Sequence, residues 1–178
     1  MSQTPDNTKT IVHGAVFDVA QVELRRGGRT FTRQLVVHPG AVVVLPLLDD
    51  KTCVLIRNER FTIGQTLWEL PAGTMDCADE SPAACAGREL FEETGYQAGR
   101  IDPLAAFYST PGFCTELMHT FAAYDLTPGD QRLEATEQIT VEALCIEKTM
   151  QMIQDNTIRD GKTIATLLYY HTFIRDRN

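Results

Sequence analysis

Three closely spaced glutamates, Glu89, Glu92 and Glu93, have the arrangement that metal-dependent chemistry requires. They lie near the end of a predicted helix, which Ser81-Pro82 begins and Gly95 ends. Side chains three or four residues apart share a helix face, so the carboxylates repel one another at a helix end that is already negative. A cation such as Mg²⁺, or alternatively Mn²⁺, would neutralise them, because both ions prefer oxygen ligands. Taken alone, the three residues also fit a solvated acidic helix face.

A longer pattern surrounds these glutamates. It consists of a glycine, an acid, an Arg-Glu pair, a Glu-Glu pair and a final Gly-aromatic pair: Gly73, Glu80, Arg88, Glu89, Glu92, Glu93, Gly95 and Tyr96. This order resembles the Nudix box, G-x5-E-x7-R-E-U-x-E-E-x-G-U, where U is an apolar residue. Six residues instead of five separate Gly73 from Glu80. We expect the extra residue to bulge outward and leave the glutamates in register, with Asp79 as an alternative to Glu80.

Composition limits the class of protein. The chain has 178 residues, of which 43% are hydrophobic, and this is enough for one domain with a full core. Its net charge of −8 argues against non-specific nucleic-acid binding, which needs a basic surface. No apolar run is long enough to span a membrane, the N-terminus has no signal-peptide pattern, and the five cysteines form no CxxC pair. We therefore expect a cytoplasmic protein with reduced thiols that binds neither nucleic acid nor membranes.

The rest of the chain predicts the elements that must hold the glutamate helix. Apolar runs and turn residues predict strands at 10–20, 22–25, 30–38, 41–48, 52–57, 66–70, 101–109, 116–126 and 139–146. Gly27-Gly28 predicts a hairpin, and the continuous apolar run at 41–48 predicts a strand buried on both faces. Further helices are predicted at 147–154 and after Asp160, with an apolar stripe at Ile164, Leu167, Leu168, His171 and Ile174. These mixed elements indicate an α/β or α+β layered domain.

The resemblance to the Nudix family implies a fold and a division of the chain. Nudix proteins form an α/β/α sandwich around a mixed β-sheet, with the box as a loop–helix–loop. Residues 39–178 would form this hydrolase domain. Residues 1–38 would form an N-terminal antiparallel strand extension, which in similar proteins commonly exchanges with a partner to build a homodimer.

Segments outside the box resemble the ADP-ribose pyrophosphatase branch, which also contains other nucleoside diphosphate sugar hydrolases. They are His38–Val42, Trp68–Gly73, the proline fifteen residues after the box (Pro111), Glu134–Ile139 and Asp160–Ala165. This resemblance implies Mg-dependent hydrolysis of the pyrophosphate bond of ADP-ribose, by a metal-bound water, to AMP and ribose 5-phosphate. GDP-mannose or another nucleotide sugar is an alternative substrate. A non-catalytic nucleotide-sensing protein is an alternative of another class.

The resemblance also implies roles for individual residues. Glu89, Glu93 and the carbonyl group of Ala72, which a Pro-Ala-Gly turn would expose, would hold the cations, with Glu92 assisting. Arg88 would orient a box carboxylate, and Glu137 would act as a general base or position the water. The substrate-binding residues would be Arg60, on a phosphate, and Glu69, Pro111, Gly112, Phe113 and Glu116. Arg57 and Arg33 are alternatives to Arg60 for the phosphate contact.

Overall fold

A computed structural model of the chain describes residues 7–175. Within this range the elements are β1 (Thr8–His13), β2 (Asp18–Arg26), β3 (Arg29–Val37), β4 (Ala41–Pro46), β5 (Thr52–Arg60), β6 (Gln65–Glu69), β7 (Ala72–Thr74), α1 (Pro82–Thr94), β8 (Gln97–Tyr108), β9 (Leu117–Thr127), β10 (Ile139–Cys145), α2 (Ile146–Gln154) and α3 (Gly161–Phe173). None of the helices in the described range has the length and apolar character needed to cross a membrane.

The central sheet has four strands in the order β7-β4-β9-β8. β4 pairs with β9 in parallel and with β7 antiparallel, so the sheet is mixed. Every residue of β4 is buried, which confirms the prediction of a strand covered on both faces. Val43 and Leu45 pack with residues of α2 and α3, whereas Val42 and Val44 pack with residues of α1. Because successive side chains of a strand point to opposite faces, this alternation confirms the α/β/α sandwich that the resemblance implies.

A second sheet has three antiparallel strands in the order β10-β5-β6. An isolated bridge between Leu47 and Cys53 links the end of β4 to the start of β5. β5 ends at Arg60 and β6 ends at Glu69. The side chains of these two residues meet at the candidate site, so this sheet supplies one wall of it.

The N-terminal residues form a separate antiparallel sheet, β1-β2-β3. The predicted hairpin at Gly27-Gly28 is confirmed, with φ of 56° and 75° at the two glycines. The prediction of one strand over residues 10–20 is wrong, because the chain turns between β1 and β2 at residues 14–17. A Cβ at Gly14 would lie 2.2 Å from the carbonyl oxygen of Phe17, so this turn requires glycine.

The N-terminal sheet is hydrogen-bonded to the loop that precedes β9. The Val36 N–H donates to the Phe113 carbonyl at 2.7 Å, and the Thr115 N–H donates to the Val36 carbonyl at 3.0 Å. The sheet and its first turn carry exposed apolar side chains, namely Ile11, Val12, Val16, Phe17, Leu24 and Phe31. In the described chain this apolar surface is therefore open to solvent.

Helices α1 and α3 begin as predicted. The Ser81 hydroxyl accepts a hydrogen bond from the Ala84 N–H at 3.2 Å, and the Asp160 carboxylate accepts one from the Thr163 N–H at 3.0 Å. α1 ends at Gly95, where φ is 76°, the left-handed conformation of a glycine C-cap. The caps thus fix the span of the helix that carries the glutamates.

The predicted apolar stripe of α3 is only partly correct. Leu167 is buried, but Leu168 is 42% exposed, and Thr163 and Thr166 are buried in addition. The Thr163 hydroxyl accepts a hydrogen bond from the Leu70 N–H, and the Thr166 hydroxyl donates to a carbonyl group of its own helix. Threonine is stable on a buried face when its hydroxyl is hydrogen-bonded in this way, and an apolar stripe alone does not reveal it.

Candidate active site

Glu89 and Glu93 on α1 lie against the backbone of β7. Glu93 is only 3% exposed, and its carboxylate accepts a hydrogen bond from the Ala72 N–H at 2.9 Å. Burial raises the pKa of Glu93 to about 8 and the pKa of Glu89 to about 7. Neighbouring carboxylates, including that of Glu137, act in the same direction. Both glutamates are therefore destabilised as bare anions, and a cation beside them would favour their ionised form.

Gly73 lets Glu89 approach β7 closely. A Cβ at residue 73 would lie 1.9 Å from Cδ of Glu89 and 2.2 Å from each of its carboxylate oxygens. The carboxylate therefore occupies the space that any side chain at residue 73 would fill. The predicted Pro-Ala-Gly turn is wrong, because residues 72–74 pair with residues 41–43 of β4 and continue as a strand.

Arg88 holds three acidic side chains together. One of its terminal nitrogens, Nη1, donates to Glu89 Oε1 at 2.7 Å and to Glu92 Oε2 at 3.1 Å. Its Nε donates to Glu80 Oε1 at 3.2 Å. A planar guanidinium bonds several carboxylates in a fixed geometry, so Arg88 has the position expected of an orienting residue. Its part in catalysis stays a prediction.

The loop before α1 accommodates its extra residue on the outside. Residues 76–79 are exposed, while Glu80 is partly buried against Arg88. Glu80, and not Asp79, thus contacts the arginine. The helical glutamates keep their register, as the sequence predicts.

Glu137 reaches the same carboxylates from the loop of residues 128–138, which we call the Glu137 loop. Its Oε2 accepts a hydrogen bond from the Glu134 N–H at 2.9 Å. Its charge contributes to the raised pKa values of Glu89 and Glu93, so the structure brings together two segments that are more than 40 residues apart in sequence.

The Glu137 loop is attached to the end of α1. The Glu92 carbonyl accepts a hydrogen bond from the Arg132 N–H at 2.8 Å. Gly95 and Gly129 are also in close backbone contact, and a Cβ on Gly95 would lie 2.4 Å from the Gly129 carbonyl oxygen. The loop therefore satisfies a carbonyl group that the helix end leaves free, and the helix end in turn fixes the loop.

These side chains surround a cleft of about 440 Å³, which we call the carboxylate cleft. The residues that define it are Arg60, Ala72, Gly73, Arg88, Glu89, Glu92, Glu93 and Glu137. In the described part of the chain, no three His, Cys, Asp or Glu side chains are already arranged as a metal-binding group. The chemistry of the donors nevertheless fits a hard divalent cation, because buried carboxylates that repel one another are its preferred ligands. Glu89, Glu93 and the carbonyl group of Ala72 are the groups that could hold it.

A second cavity, of about 880 Å³, adjoins the carboxylate cleft, and we call it the side cavity. Its lining includes His38, Arg60, Phe61, Glu69, Tyr108, Phe113, Glu116 and Lys162. The two cavities share Val16, Arg60, Phe61 and Thr62. Arg60 thus lies where a group bound in one cavity would meet a group bound in the other.

Arg60 and Glu69 form a two-point ion pair at this junction. Arg60 Nε donates to Glu69 Oε1 at 2.8 Å, and Arg60 Nη2 donates to Glu69 Oε2 at 2.6 Å. Lys162 donates to the same Glu69 Oε2. Both oxygens of Glu69 are therefore bonded within the chain, and the side chain is 1% exposed.

Arg57 and Arg33, the two alternatives to Arg60 for the phosphate contact, lie outside the candidate site. Arg57 stacks over the ring of Trp68 at 5.5 Å, and Arg33 lies over the ring of Phe31 in the N-terminal sheet at 5.7 Å. Neither lines the carboxylate cleft or the side cavity. Of these three arginines, Arg60 alone lines the two cavities.

Glu116 lines the side cavity, whereas the metal-ligand candidates line the carboxylate cleft. It accepts a hydrogen bond from the Ser109 hydroxyl, and its Oε1 is 3.7 Å from Nε2 of His38. The other ring nitrogen of His38, Nδ1, accepts a hydrogen bond from the Gly40 N–H at 3.1 Å, which leaves the proton of a neutral ring on Nε2, facing Glu116.

The predicted residues of the 111–113 segment are placed differently from one another. Phe113 is 58% exposed and lines the side cavity. Pro111 and Gly112 are exposed and lie outside the lining of both cavities. Neither residue lines the site as Phe113 does, and their substrate-binding role stays a prediction.

Three residues at the site carry roles that sequence reasoning did not assign. Lys162 bonds Glu69 from 93 positions away, His38 faces Glu116, and Gly73 makes room for Glu89. The sequence contains only part of the information needed to assign these roles. The Asp160-Gly161-Lys162 run marks a helix start, but nothing local indicates that its lysine points to another sheet.

Comparison with known proteins agrees with this fold and site. Residues 37–167 match the NUDIX domain family. The chain is 35% identical over 163 residues to the ADP-ribose pyrophosphatase of Bacillus subtilis, covering 89% of this chain and 87% of that protein. It is 34% identical over 182 residues to the GDP-mannose pyrophosphatase of Escherichia coli O139:H28, covering 94% and 90% respectively.

A solved structure has the same fold. The crystal structure of an ADP compounds hydrolase aligns with a TM-score of 0.84 over 98% of this chain and 95% of that one, at 22% sequence identity. Proteins of this family generally need a divalent metal, in keeping with the donor set of the carboxylate cleft. The matched domain and the similar relatives show, and the shared fold agrees, that the chain belongs to the Nudix hydrolase family.

Proposed function

We propose that this protein hydrolyses the pyrophosphate bond of ADP-ribose and related nucleoside diphosphate sugars, with Mg²⁺ as its metal. The products from ADP-ribose would be AMP and ribose 5-phosphate. The observation that carries the proposal is the junction at Arg60, where an acidic metal-type cleft meets a larger cavity. A nucleoside diphosphate sugar bound over the junction would have its pyrophosphate near the carboxylate cleft. Its nucleoside and its sugar would lie outside that cleft.

The carboxylate cleft would hold the metal through Glu89, Glu93 and the Ala72 carbonyl group, with Glu92 assisting. When bound, Mg²⁺ lowers the pKa of a water molecule and stabilises the charge that develops on the phosphate. Arg88 would keep Glu89 and Glu92 oriented, since it already bonds both. Glu137 would accept the proton of the attacking water, because it faces the same carboxylates from a separate loop.

The side cavity would bind the rest of the substrate. Arg60 would contact a phosphate with its fixed fork of donors. Phe113 is exposed on the cavity wall and would pack on a sugar or base. Glu116 and Glu69 would bind polar groups, Glu116 the more directly of the two, since both oxygens of Glu69 are bonded within the chain.

We further propose that the protein is a homodimer that forms through its N-terminal strands. The exposed apolar side chains of the N-terminal sheet support this, because a second copy would remove them from water. Val16, which belongs to this surface, also lines both cavities, so a second copy bound here would lie next to the site. The mass in solution, measured by light scattering, tests the proposal, and a monomer at micromolar concentration contradicts it.

A substrate panel tests the proposed activity. Purified protein with Mg²⁺ is given ADP-ribose, GDP-mannose and several other nucleotide sugars, and the monophosphate products are separated and quantified. GDP-mannose is the second candidate, because a relative of similar identity is a GDP-mannose pyrophosphatase. Hydrolysis of ADP-ribose with release of AMP is the expected result. Binding of a nucleotide without turnover of any compound would instead favour a sensing protein.

A further inference from the structure

Four charged side chains in the lining of the side cavity form one connected group. Glu69 is bonded by two cations, Arg60 and Lys162, and Lys162 also contacts Asp160 at 3.0 Å. The group is balanced, with two positive and two negative charges. The carboxylate of Glu69 lies at its centre with a side-chain exposure of 1%.

The two cations of this group are not equivalent. The side chain of Lys162 is 10% exposed, whereas that of Arg60 is 40% exposed. Lys162 follows the N-cap Asp160 by two residues, so it is fixed at the start of α3. Arg60 is the last residue of β5 and lines both cavities. The geometry therefore leaves Lys162 enclosed and Arg60 free to turn outward.

A buried carboxylate that loses its last cation is strongly destabilised. If Lys162 were missing, Arg60 would be the remaining partner of Glu69 in this group and could not leave it without that penalty. With Lys162 in place, Glu69 keeps a cation when Arg60 turns away. Asp160 likewise keeps Lys162 as its partner.

We propose that Lys162 is a positioning residue that holds the charge of Glu69 and thereby allows Arg60 to exchange from Glu69 to the diphosphate of the substrate. Lys162 makes no substrate contact in this scheme. The inference rests on the proposed function, because it takes a nucleoside diphosphate sugar as the partner that Arg60 turns towards.

Lys162→Met tests the inference, with Lys148→Met at an exposed position of α2 as the matched control. Affinity for ADP-ribose and for GDP-mannose is measured by calorimetry in EDTA, where no turnover occurs, and kcat and KM are measured with Mg²⁺. Lys162→Met should weaken binding and raise KM by a factor in the range of about 5–150, typical of coupling between two groups. The kcat should change little, because the lost interaction acts on binding. Lys148→Met should leave all three values unchanged.

A second background separates positioning from contact. Glu69→Gln removes the charge that needs a partner, so adding Lys162→Met to Glu69→Gln should cause no further loss of affinity. A loss of the same size in both backgrounds would mean that Lys162 contacts the substrate, which overturns the inference. Lys162→Gln, which keeps a hydrogen-bond donor but no charge, should behave like Lys162→Met and serves if the methionine variant does not fold.

The remaining outcomes are also decisive. A lower melting temperature with unchanged affinity would make Lys162 a purely structural residue and overturn the inference, while the proposed function stands. If the wild-type protein neither binds nor hydrolyses any nucleotide sugar, the proposed function itself fails and the inference falls with it.

Discussion

The carboxylate cleft and the side cavity adjoin each other but carry opposite kinds of charge arrangement. In the carboxylate cleft one guanidinium, that of Arg88, contacts Glu80, Glu89 and Glu92, and the buried Glu93 has a raised pKa. In the side cavity Arg60 and Lys162 match Glu69 and Asp160 one for one. The first arrangement is incomplete without a cation, and the second is complete in the chain itself. A cleft with more carboxylates than cations is suited to bind a metal ion. A cluster with equal numbers of cations and carboxylates is suited to exchange one ion-pair partner for another.

The largest effect is expected at Glu93, the most deeply buried acid of the carboxylate cleft. Glu93→Gln should keep the fold and lower kcat by about a thousandfold, since a metal supplies several kcal/mol of stabilisation in the transition state. Steady-state kinetics with Mg²⁺ and ADP-ribose measure this. Glu142→Gln on the exposed face of β10 is the control and should retain full activity. Normal turnover by Glu93→Gln would remove the metal assignment.

An intermediate effect is expected at Gly73, where the cleft depends on a missing side chain. Gly73→Ala would place a methyl group on the carboxylate of Glu89, and displacing a metal-ligand candidate should cost about 10–100-fold in metal affinity and activity. Gly112→Ala is the matched control for metal affinity, because residue 112 does not line the carboxylate cleft and a Cβ there meets nothing within 4 Å. Titration of both variants with Mg²⁺ or Mn²⁺ gives the comparison, and equal affinities would contradict the close approach of Glu89.

A smaller effect is expected in the pH dependence of stability without metal. The folded protein holds protons on Glu89 and Glu93 that the unfolded chain releases near the usual value of 4.5, because their folded pKa values are about 7 and 8. This contribution to stability is full below about pH 4.5 and is lost as the pH rises through 7 to 8. Melting temperatures in EDTA should therefore fall across this range.

Glu93→Gln removes one of the two titrations, so its melting temperature should fall less steeply between pH 5 and 8. The charges of the side cavity are unchanged in both proteins and cancel in the comparison. Parallel slopes for the wild type and Glu93→Gln would show that burial of Glu93 does not control its protonation.

The smallest effect is expected at the cap of α1. Ser81→Ala removes one capping hydrogen bond and should cost about 1 kcal/mol, or about 2–4 °C in melting temperature for a chain of this size. Asp160→Ala removes the cap of α3 and also the ion pair with Lys162, so its melting temperature should fall further. Differential scanning calorimetry compares the two, and equal losses would mean that the Asp160–Lys162 contact adds no stability.

The sequence could predict features that depend on local spacing. Glu89, Glu92 and Glu93 share a helix face because of their separation along the chain, and Ser81 and Gly95 mark the ends of that helix. The continuous apolar run at 41–48 likewise predicts a strand covered on both faces, which the structure has at Ala41–Pro46. These predictions do not depend on contacts with residues that are distant in sequence.

Features that depend on partners distant in sequence could not be predicted. The bond of Lys162 to Glu69 spans 93 residues, and no periodic pattern encodes it. The turn at residues 14–17 interrupts an apolar stretch in which a lone Gly14 was the available signal. Apolar character predicts Leu168 in the stripe, but it is 42% exposed, while Thr163 and Thr166 are buried with their hydroxyl groups hydrogen-bonded.

The contact between Gly95 and Gly129 holds the loop of Glu137, the proposed base, against the helix that carries the metal-ligand candidates. Residue 95 does not line the cleft, yet a Cβ there would lie 2.4 Å from the Gly129 carbonyl oxygen and would force the Glu137 loop away from the last turn of α1. Tolerance to mutation should therefore be low at Gly95, although this residue lines neither cavity. Any attempt to re-engineer this enzyme for a new sugar should leave that glycine pair untouched and vary the side cavity instead.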